Sequence, residues 1–67
     1  MRKQERQRWI AKLIKEQNVA KQEELVSLLI DNNIPVTQAT VSRDIKEMKL
    51  VKVPADNKHY KYSLPNS

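Results

Sequence analysis

The sequence predicts a small, mainly α-helical domain with a small β-hairpin at its end, and three observations lead to this prediction. Apolar residues recur at helical spacing as far as about Lys49, and after Leu50 the spacing changes to the alternation typical of strands. The 67 residues suffice for one small domain with a thin core. Because Phe is absent and the only aromatic residues are one Trp and two Tyr, that core must be built from Leu, Ile and Val.

The first predicted helix covers residues 3–17 and is amphipathic. Its apolar residues recur at three- and four-residue spacing, and basic side chains surround them. These apolar residues are Trp9, Ile10, Leu13 and Ile14. We expect the helix to stop at Asn18, because Asn tolerates the left-handed backbone conformation in which many helices end.

The second predicted helix covers about residues 21–31. Its inner stripe is formed by Leu25, Leu28 and Leu29. Lys21 is a poor N-cap, because its side chain offers no hydrogen-bond acceptor to the free N–H groups of the first turn. The run 31–33 then ends the helix, since Asn is the residue best suited to a positive φ angle in a chain without Gly.

The third predicted helix begins after Thr37, a good N-cap, and runs from residue 38 to about residue 49. Its apolar stripe consists of Val41, Ile45 and Met48. Two short strands follow, 51–53 and 60–64, and the turn 54–58 joins them into a hairpin. We predict that the inner face of this hairpin places Tyr60 and Tyr62 in the core.

Three helices followed by a two-stranded wing, with a short connection between the second and third helices, is the plan of a winged helix-turn-helix. We assign this domain to residues 1–64. Residues 65–67 have the composition of a linker, and we expect them to begin the connection to a C-terminal effector domain that this chain does not contain.

The net charge of +5 is large for a chain of this size, and it is concentrated at the two ends. Residues 1–17 carry six basic and two acidic side chains, and residues 37–67 carry six and three, whereas the middle of the chain is slightly acidic. A nucleic acid, an anionic membrane surface or an acidic protein would suit this charge. The alternative is that surface lysines only keep a small domain soluble.

A helical wheel of the third helix places polar groups around a small alanine on the side opposite Val41. Such groups suit a helix in the DNA major groove, because Arg pairs with guanine, Gln with adenine, and hydroxyls with phosphates or base edges. A solvated helix face also carries these residue types, and that alternative stays open. Together with a cation at the wing turn, the predicted DNA-binding residues are Thr37, Gln38, Thr40, Ser42, Arg43, Lys46 and Lys58.

Further charged residues lie on the first and third helices. Four cations of the first helix either contact phosphate or form a solvated basic end: Arg2, Lys3, Arg6 and Arg8. Asp44 lies nearer the apolar side of the wheel, so we expect it to pair with Arg, Lys or a backbone group within the protein. Glu47 follows Arg43 by one helical turn, and we expect it to orient that side chain.

The segment 36–54 closely resembles the recognition segment of the bacterial arginine repressor family. Its run Thr-Gln-Ala-Thr-Val-Ser-Arg-Asp, residues 37–44, is long and specific. Residues 22–25 (Gln-Glu-Glu-Leu) and residues 62–65 (Tyr-Ser-Leu-Pro) are also similar to that family. The resemblance covers essentially the whole chain and corresponds to the N-terminal DNA-binding domain of these proteins.

The resemblance implies a repressor that binds palindromic operators in arginine metabolism genes as double-stranded DNA. It implies that Ser42 and Arg43 are central to DNA contact and that Gln38 is a third contact position. Family members sense L-arginine, their corepressor, through a C-terminal domain that also assembles trimers and hexamers. We therefore expect no cofactor in this chain, and a monomeric isolated domain. The departures at Lys21 and at Asn32-Asn33 concern helix ends and leave the reading face intact.

Enzymatic functions find little support in the sequence. The composition allows Ser-Lys chemistry, but we expect no cleft in a domain this small. A single His and the absence of Cys leave no triad based on these residues and no metal site rich in them, and a Gly-rich phosphate loop needs glycines that this chain lacks. No apolar run approaches the roughly 20 residues that span a bilayer, so we expect a cytoplasmic protein without a membrane partner.

Two alternatives of other classes remain. The winged helix could be a protein-protein interaction module that binds an acidic partner through the outer face of the third helix. The first helix could instead lie on a membrane surface, although the core needs Ile10, Leu13 and Ile14, which leaves little to insert. Both alternatives predict binding that weakens with salt, so only discrimination between DNA sequences separates them from operator binding.

Overall fold

The computed structural model describes residues 2–65 and contains three helices and one antiparallel hairpin. The elements in chain order are α1 (Lys3–Glu16), α2 (Gln22–Asp31), α3 (Gln38–Glu47), β1 (Val51–Pro54) and β2 (Tyr60–Ser63). The predicted winged helix-turn-helix plan is thereby confirmed. Positions 66 and 67 of the predicted linker lie outside the described residues.

The core is aliphatic, as the composition requires, and draws on all three helices and two connections. Its fully buried side chains are Ile10, Leu13, Ile14, Val19, Leu25, Leu29, Ile34 and Val41. Trp9 packs against this cluster from α1 and is half-buried. Because Ile10, Leu13 and Ile14 of α1 are at most 3% exposed, they are not available for a membrane surface. Within residues 2–65, no helix has the length and apolar character to cross a bilayer.

The end of α1 differs from the predicted one. The helix stops at Glu16, and Gln17 is already extended (φ −133°) while its N–H still donates to the carbonyl oxygen of Leu13. Asn18 has no positive φ angle, so the expectation that a left-handed Asn ends this helix is wrong. The extended backbone instead carries Val19 into the core, where its carbonyl oxygen accepts a hydrogen bond (2.8 Å) from the N–H of Tyr62 in β2.

The start of α2 shows how the helix begins without an N-cap acceptor. Lys21 occupies the N-cap position, and the Glu24 carboxylate one turn later accepts hydrogen bonds from the backbone N–H groups of Lys21 (2.9 Å) and Ala20 (3.2 Å). This contact is the Glu half of a capping box. It restrains the backbone at the helix start, although the side chain at the cap position contributes no acceptor.

Helices α2 and α3 end in the same way, with one residue in the left-handed region. Asn33 has φ 64°, as the sequence predicts, and the N–H of Ile34 donates to the carbonyl oxygen of Leu29 (2.9 Å). Lys49 has φ 56°, and the N–H of Leu50 donates to the carbonyl oxygen of Ile45. Both are Schellman motifs. The sequence did not predict the second one, because Lys has no special tolerance for this conformation.

The hairpin pairs Val51 with Ser63 and Pro54 with Tyr60 at its two ends. Tyr62 packs against the core and is half-buried, as predicted. Tyr60 is 58% exposed, so its predicted place in the core is wrong. It lies on the same face of β2 as Tyr62 but at the end of the strand next to the turn.

Candidate nucleic-acid interface

The position of α3 depends on contacts at its first turn. The Thr37 hydroxyl caps the helix and accepts a hydrogen bond from the N–H of Thr40 (3.3 Å). From α2, the side-chain amide of Gln22 donates to the carbonyl oxygen of Gln38 (3.0 Å). The short connection and this bond hold the two helices of the helix-turn-helix together. Gln22 lies in the stretch that resembles the arginine repressor family, but sequence analysis assigned it no role.

One face of α3 is turned to solvent along its length. Gln38, Ala39, Arg43 and Lys46 are exposed, and Ser42 is half-buried beside them. Within residues 2–65, the side chains of Gln38, Ser42, Arg43 and Lys46 make no hydrogen bond or ion pair. Four predicted site residues therefore share a surface on which their polar groups are uncommitted.

The two threonines of the predicted site have a structural task as well. Thr37 accepts the N–H of Thr40 at the cap, and its hydroxyl also donates to the hydroxyl oxygen of Thr40 (3.2 Å). The Thr40 hydroxyl keeps its own proton for an outside acceptor. Thr37 is exposed and Thr40 half-buried, so both remain within reach of a ligand at the helix N-terminus.

Asp44 points from α3 into the protein and is fully buried. Both carboxylate oxygens accept from the guanidinium of Arg6, one from Nε and one from Nη2 (2.8 Å), and the amide of Gln7 donates to Oδ1 (3.0 Å). Burial by itself would raise the pKa of Asp44, but these hydrogen bonds and the charge of Arg6 lower it. The same contact raises the pKa of Arg6. The prediction that Asp44 pairs within the protein is confirmed.

Glu47 does not orient Arg43, so that prediction is wrong. Its carboxylate instead binds the ammonium of Lys3 (3.1 Å) and the amide of Gln7 (3.2 Å), both on α1. The hydrogen bond from Lys3, followed by that from Gln7, lowers the pKa of Glu47. The tertiary contact takes precedence because the side chains of Lys3 and Gln7 reach Glu47 from α1, whereas a pair between positions four apart on one exposed helix is weak.

Of the four cations at the start of α1, two have carboxylate partners. Lys3 pairs with Glu47 and Arg6 with Asp44, whereas Arg2 and Arg8 are exposed. The consequence for the surface is electrostatic. The two acidic residues of α3, which would repel a polyanion, are paired with cations of α1, while Arg43 and Lys46 on the outer face have no acidic partner among residues 2–65.

The wing turn presents Lys58 to solvent. Asp56 organises this turn, since its Oδ1 accepts from the backbone N–H groups of Lys58 (2.8 Å) and His59 (2.9 Å) and contacts Nδ1 of the His59 ring (2.9 Å). The backbone bond from Lys58, followed by the contact with the His59 ring, lowers the pKa of Asp56. The Lys58 ammonium has no carboxylate within 4.0 Å among residues 2–65.

The fold and this surface together define a class of protein. A winged helix-turn-helix whose helix α3 exposes uncommitted amide, hydroxyl and cationic groups is a DNA-binding domain. The model of the family described as "Arginine repressor, DNA binding domain" matches residues 1–67. The chain therefore belongs to the arginine repressor DNA-binding domain family. This assignment does not favour the alternative of an acidic protein partner.

Curated relatives agree with this assignment. The chain is 54% identical over 65 residues to the arginine repressor of Lactiplantibacillus plantarum, an alignment that covers 97% of this chain and 43% of the relative. It is 57% identical over 56 residues to that of Listeria welshimeri, covering 84% and 38%. The arginine repressor of a Geobacillus species is 53% identical over 66 residues, covering 98% and 44%. The chain thus spans about two fifths of the length of these relatives.

Proposed function

We propose that this chain is the sequence-specific DNA-binding domain of an arginine-responsive transcriptional repressor. The observation that carries the proposal is the outer face of α3. The side chains of Gln38, Ser42, Arg43 and Lys46 have no partner there among residues 2–65, while both acids of the helix are paired with cations of α1. A helix with this arrangement presents hydrogen-bonding groups and positive charge to DNA without an opposing charge.

In this proposal α3 lies in the major groove of a palindromic operator. Arg43 donates two hydrogen bonds to a guanine, and Gln38 pairs with an adenine. Ser42 and Thr40 donate to a phosphate or a base edge near the helix N-terminus, where the helix dipole favours an anion. Thr37 keeps this end of the helix in place through its cap and lies at the same phosphate.

The remaining contacts supply affinity rather than sequence. Lys46 on α3 and Lys58 at the wing turn approach phosphates on either side of the groove, and Arg2 and Arg8 extend the positive surface. Each phosphate that a cation neutralises releases counterions, so these contacts weaken as salt rises. Phosphate contacts fix the register of the domain on the duplex without reading bases.

The relatives' names and length support a second part of the proposal. They are called arginine repressors and are more than twice as long as the matched segment. We propose that the complete repressor is a cytoplasmic protein that senses L-arginine as corepressor through a C-terminal effector domain, connected through residues 65–67. That domain would assemble trimers and hexamers, whereas the isolated DNA-binding domain is monomeric, and neither part is an enzyme.

Fluorescence anisotropy tests the proposal. A labelled palindromic duplex of the arginine-operator type and a scrambled duplex of equal composition are titrated with the 67-residue chain at two salt concentrations. We expect tighter binding to the palindrome at both salts. Equal binding with a steep salt dependence would mean that this chain contributes phosphate affinity only, and absence of binding to either duplex would contradict the proposed function.

A further inference from the structure

A ladder of polar contacts joins α1 to α3 beside the outer face of α3. On α1 its members are Lys3, Arg6 and Gln7, and on α3 they are Asp44 and Glu47. Residues three and four apart lie on one face of a helix, so each helix contributes a single row. The ladder therefore runs across the contact between the two helices for about one turn of each.

The centre of this ladder is a buried pair with one defined geometry. The Asp44 side chain is 1% exposed and that of Arg6 is 17% exposed. Two N–H groups of the guanidinium meet the two carboxylate oxygens, and Gln7 supplies a third hydrogen bond to Oδ1 (3.0 Å). Within residues 2–65 no buried side-chain nitrogen or oxygen lacks a partner. The pair is therefore complete, and its planar fork accepts only a narrow range of mutual orientations.

Stability does not explain why an ion pair occupies this position. Removing two charges from water costs free energy that their attraction roughly repays, and well-packed apolar residues in the same place are often as stable or more stable. The neighbouring inner positions of α3 are apolar, with Val41 buried and Ile45 and Met48 half-buried. A further apolar residue at position 44 would thus continue the stripe that the helix already has.

What the pair supplies beyond apolar packing is a fixed rotation of α3 about its own axis. The ends of outer side chains lie about 5–6 Å from a helix axis, so a rotation of about 10° moves them by about 1 Å. Hydrogen bonds to bases tolerate a spread of only about half that distance. Arg43 precedes Asp44, so the direction of Asp44 determines the direction in which Arg43 leaves the helix.

We propose that Arg6, Gln7 and Asp44 are positioning residues that set the rotation of α3 and so determine how well this domain discriminates between DNA sequences. The inference rests on the proposed function, since it assigns the control of that same surface to residues that do not contact DNA. Apolar contacts keep α3 attached to the domain, and the forked pair selects one rotation among those that the apolar contacts allow.

The test is the double variant Arg6→Met/Asp44→Leu. It loses one positive and one negative charge, so the net charge and the affinity for a scrambled duplex should stay the same, and apolar side chains keep α1 and α3 packed. The ratio of dissociation constants between scrambled and palindromic duplexes should fall by about tenfold, comparable to the loss of one base contact. Circular dichroism at the assay temperature establishes that the variant is folded.

Two further variants sharpen the result. Lys3→Gln/Glu47→Gln also leaves the net charge unchanged but removes the exposed outer pair, whose side chains are 57% and 41% exposed, and it should keep the wild-type ratio. Arg6→Lys keeps the charge and loses the fork, and it should lower the ratio in the same direction as the double variant. This single variant decides the matter if the double variant does not fold.

A folded Arg6→Met/Asp44→Leu or Arg6→Lys protein that discriminates as well as the wild type would overturn the positioning role. The wild-type ratio is measured first, because a wild type that does not discriminate would overturn the proposed function and this inference together. Discrimination by the wild type with unchanged discrimination by the variants would overturn this inference alone.

Discussion

Arg43 occupies the centre of the outer face of α3, exposed and without a partner among residues 2–65. Its neighbour Asp44 is fully buried one position further along the same helix. Two adjacent charged residues thus have opposite environments because successive side chains of a helix point about 100° apart. The buried one contributes to the position of the helix, and the exposed one is free to meet a ligand.

Arg43→Ala should weaken binding to a palindromic operator duplex by about 1–3 kcal/mol and relax discrimination at the base that Arg43 contacts. The physical reason is the loss of the bidentate contact to guanine that we propose for Arg43. Anisotropy titrations on palindromic and scrambled duplexes measure it, with Lys15→Ala in the last turn of α1 as a control that removes the same charge outside the proposed surface. A loss of equal size on both duplexes would make Arg43 a phosphate contact.

Lys58→Ala should weaken binding to all duplexes alike, because an exposed cation on a turn neutralises phosphate without reading bases. The slope of log K against log salt should become about one unit less steep. Titrations at four or more salt concentrations give this slope for both proteins. A loss confined to the palindromic duplex would instead show that the wing takes part in sequence discrimination.

The ends of the helices depend on residues with different backbone preferences. Asn33 and Lys49 both have positive φ angles, at 64° and 56°, and both close a Schellman motif. Asn reaches this conformation at low cost, whereas Lys pays the steric penalty of its Cβ atom. The Schellman motif at Lys49, where α3 leads into the wing, is therefore strained, and a residue without a Cβ atom would relieve that strain.

Lys49→Gly should stabilise the domain by up to about 1 kcal/mol, because glycine adopts the left-handed conformation without that penalty. Its greater freedom in the unfolded chain limits the gain. Urea denaturation followed by circular dichroism measures the change. Lys15→Gly, in the last turn of α1, is the matched control and should destabilise by about 1 kcal/mol. A lower free energy of unfolding in Lys49→Gly would contradict the inference that the backbone at Lys49 is strained.

At the start of α3, Thr37→Ala should cost about 1 kcal/mol of folding free energy, because the N–H of Thr40 loses its acceptor. Thr37→Ser retains the hydroxyl and should stay close to the wild type. Both variants are compared by urea denaturation. Equal stability of the alanine and serine variants would mean that the cap contributes little and that this hydroxyl serves the ligand instead.

The whole domain is small, and one buried charge weighs heavily in its stability. A chain of this length has a free energy of unfolding of about 3–10 kcal/mol. Removing one partner of a buried ion pair destabilises a protein by about 3 kcal/mol at the lower end of the usual range. We expect this lower value here, because the Arg6 side chain is partly exposed to solvent. Arg6 and Asp44 therefore connect the position of α3 to the stability of the entire fold.

Acid should destabilise the protein through Asp44. Its pKa is lower in the folded chain than the unfolded value of about 3.9, so the ionised carboxylate stabilises the fold above that value. This contribution is lost as the pH falls through the lowered, folded-state pKa. Glu47 and Asp56, whose pKa values are also lowered, act in the same direction.

Urea denaturation at a series of pH values from about 6 down to about 2 should show this loss, with little change above about pH 5. Arg6→Met/Asp44→Leu, which has no carboxylate at this position, should lose less stability over the same range. The outer-pair variant Lys3→Gln/Glu47→Gln should keep most of the wild-type dependence. A double variant that is as acid-sensitive as the wild type would assign the effect to other carboxylates.

The sequence alone predicted the helices, the hairpin, most of the core and the polar outer face of α3, because these follow from local periodicity and from capping residues such as Thr37. The motif of residues 37–44 also predicted the family. Local patterns sufficed because each of these features involves residues a few positions apart. The pairing of Asp44 inside the protein was predicted too, but without its partner.

Only the tertiary structure decided which distant groups meet. Arg6 and Asp44 are 38 positions apart, and Glu47 turns to Lys3 rather than to Arg43. The same holds for the extended end of α1, where Val19 bonds to Tyr62, and for the exposure of Tyr60 at the turn end of β2. Contacts across the chain depend on how the elements pack, and the spacing within one element carries no information about that packing.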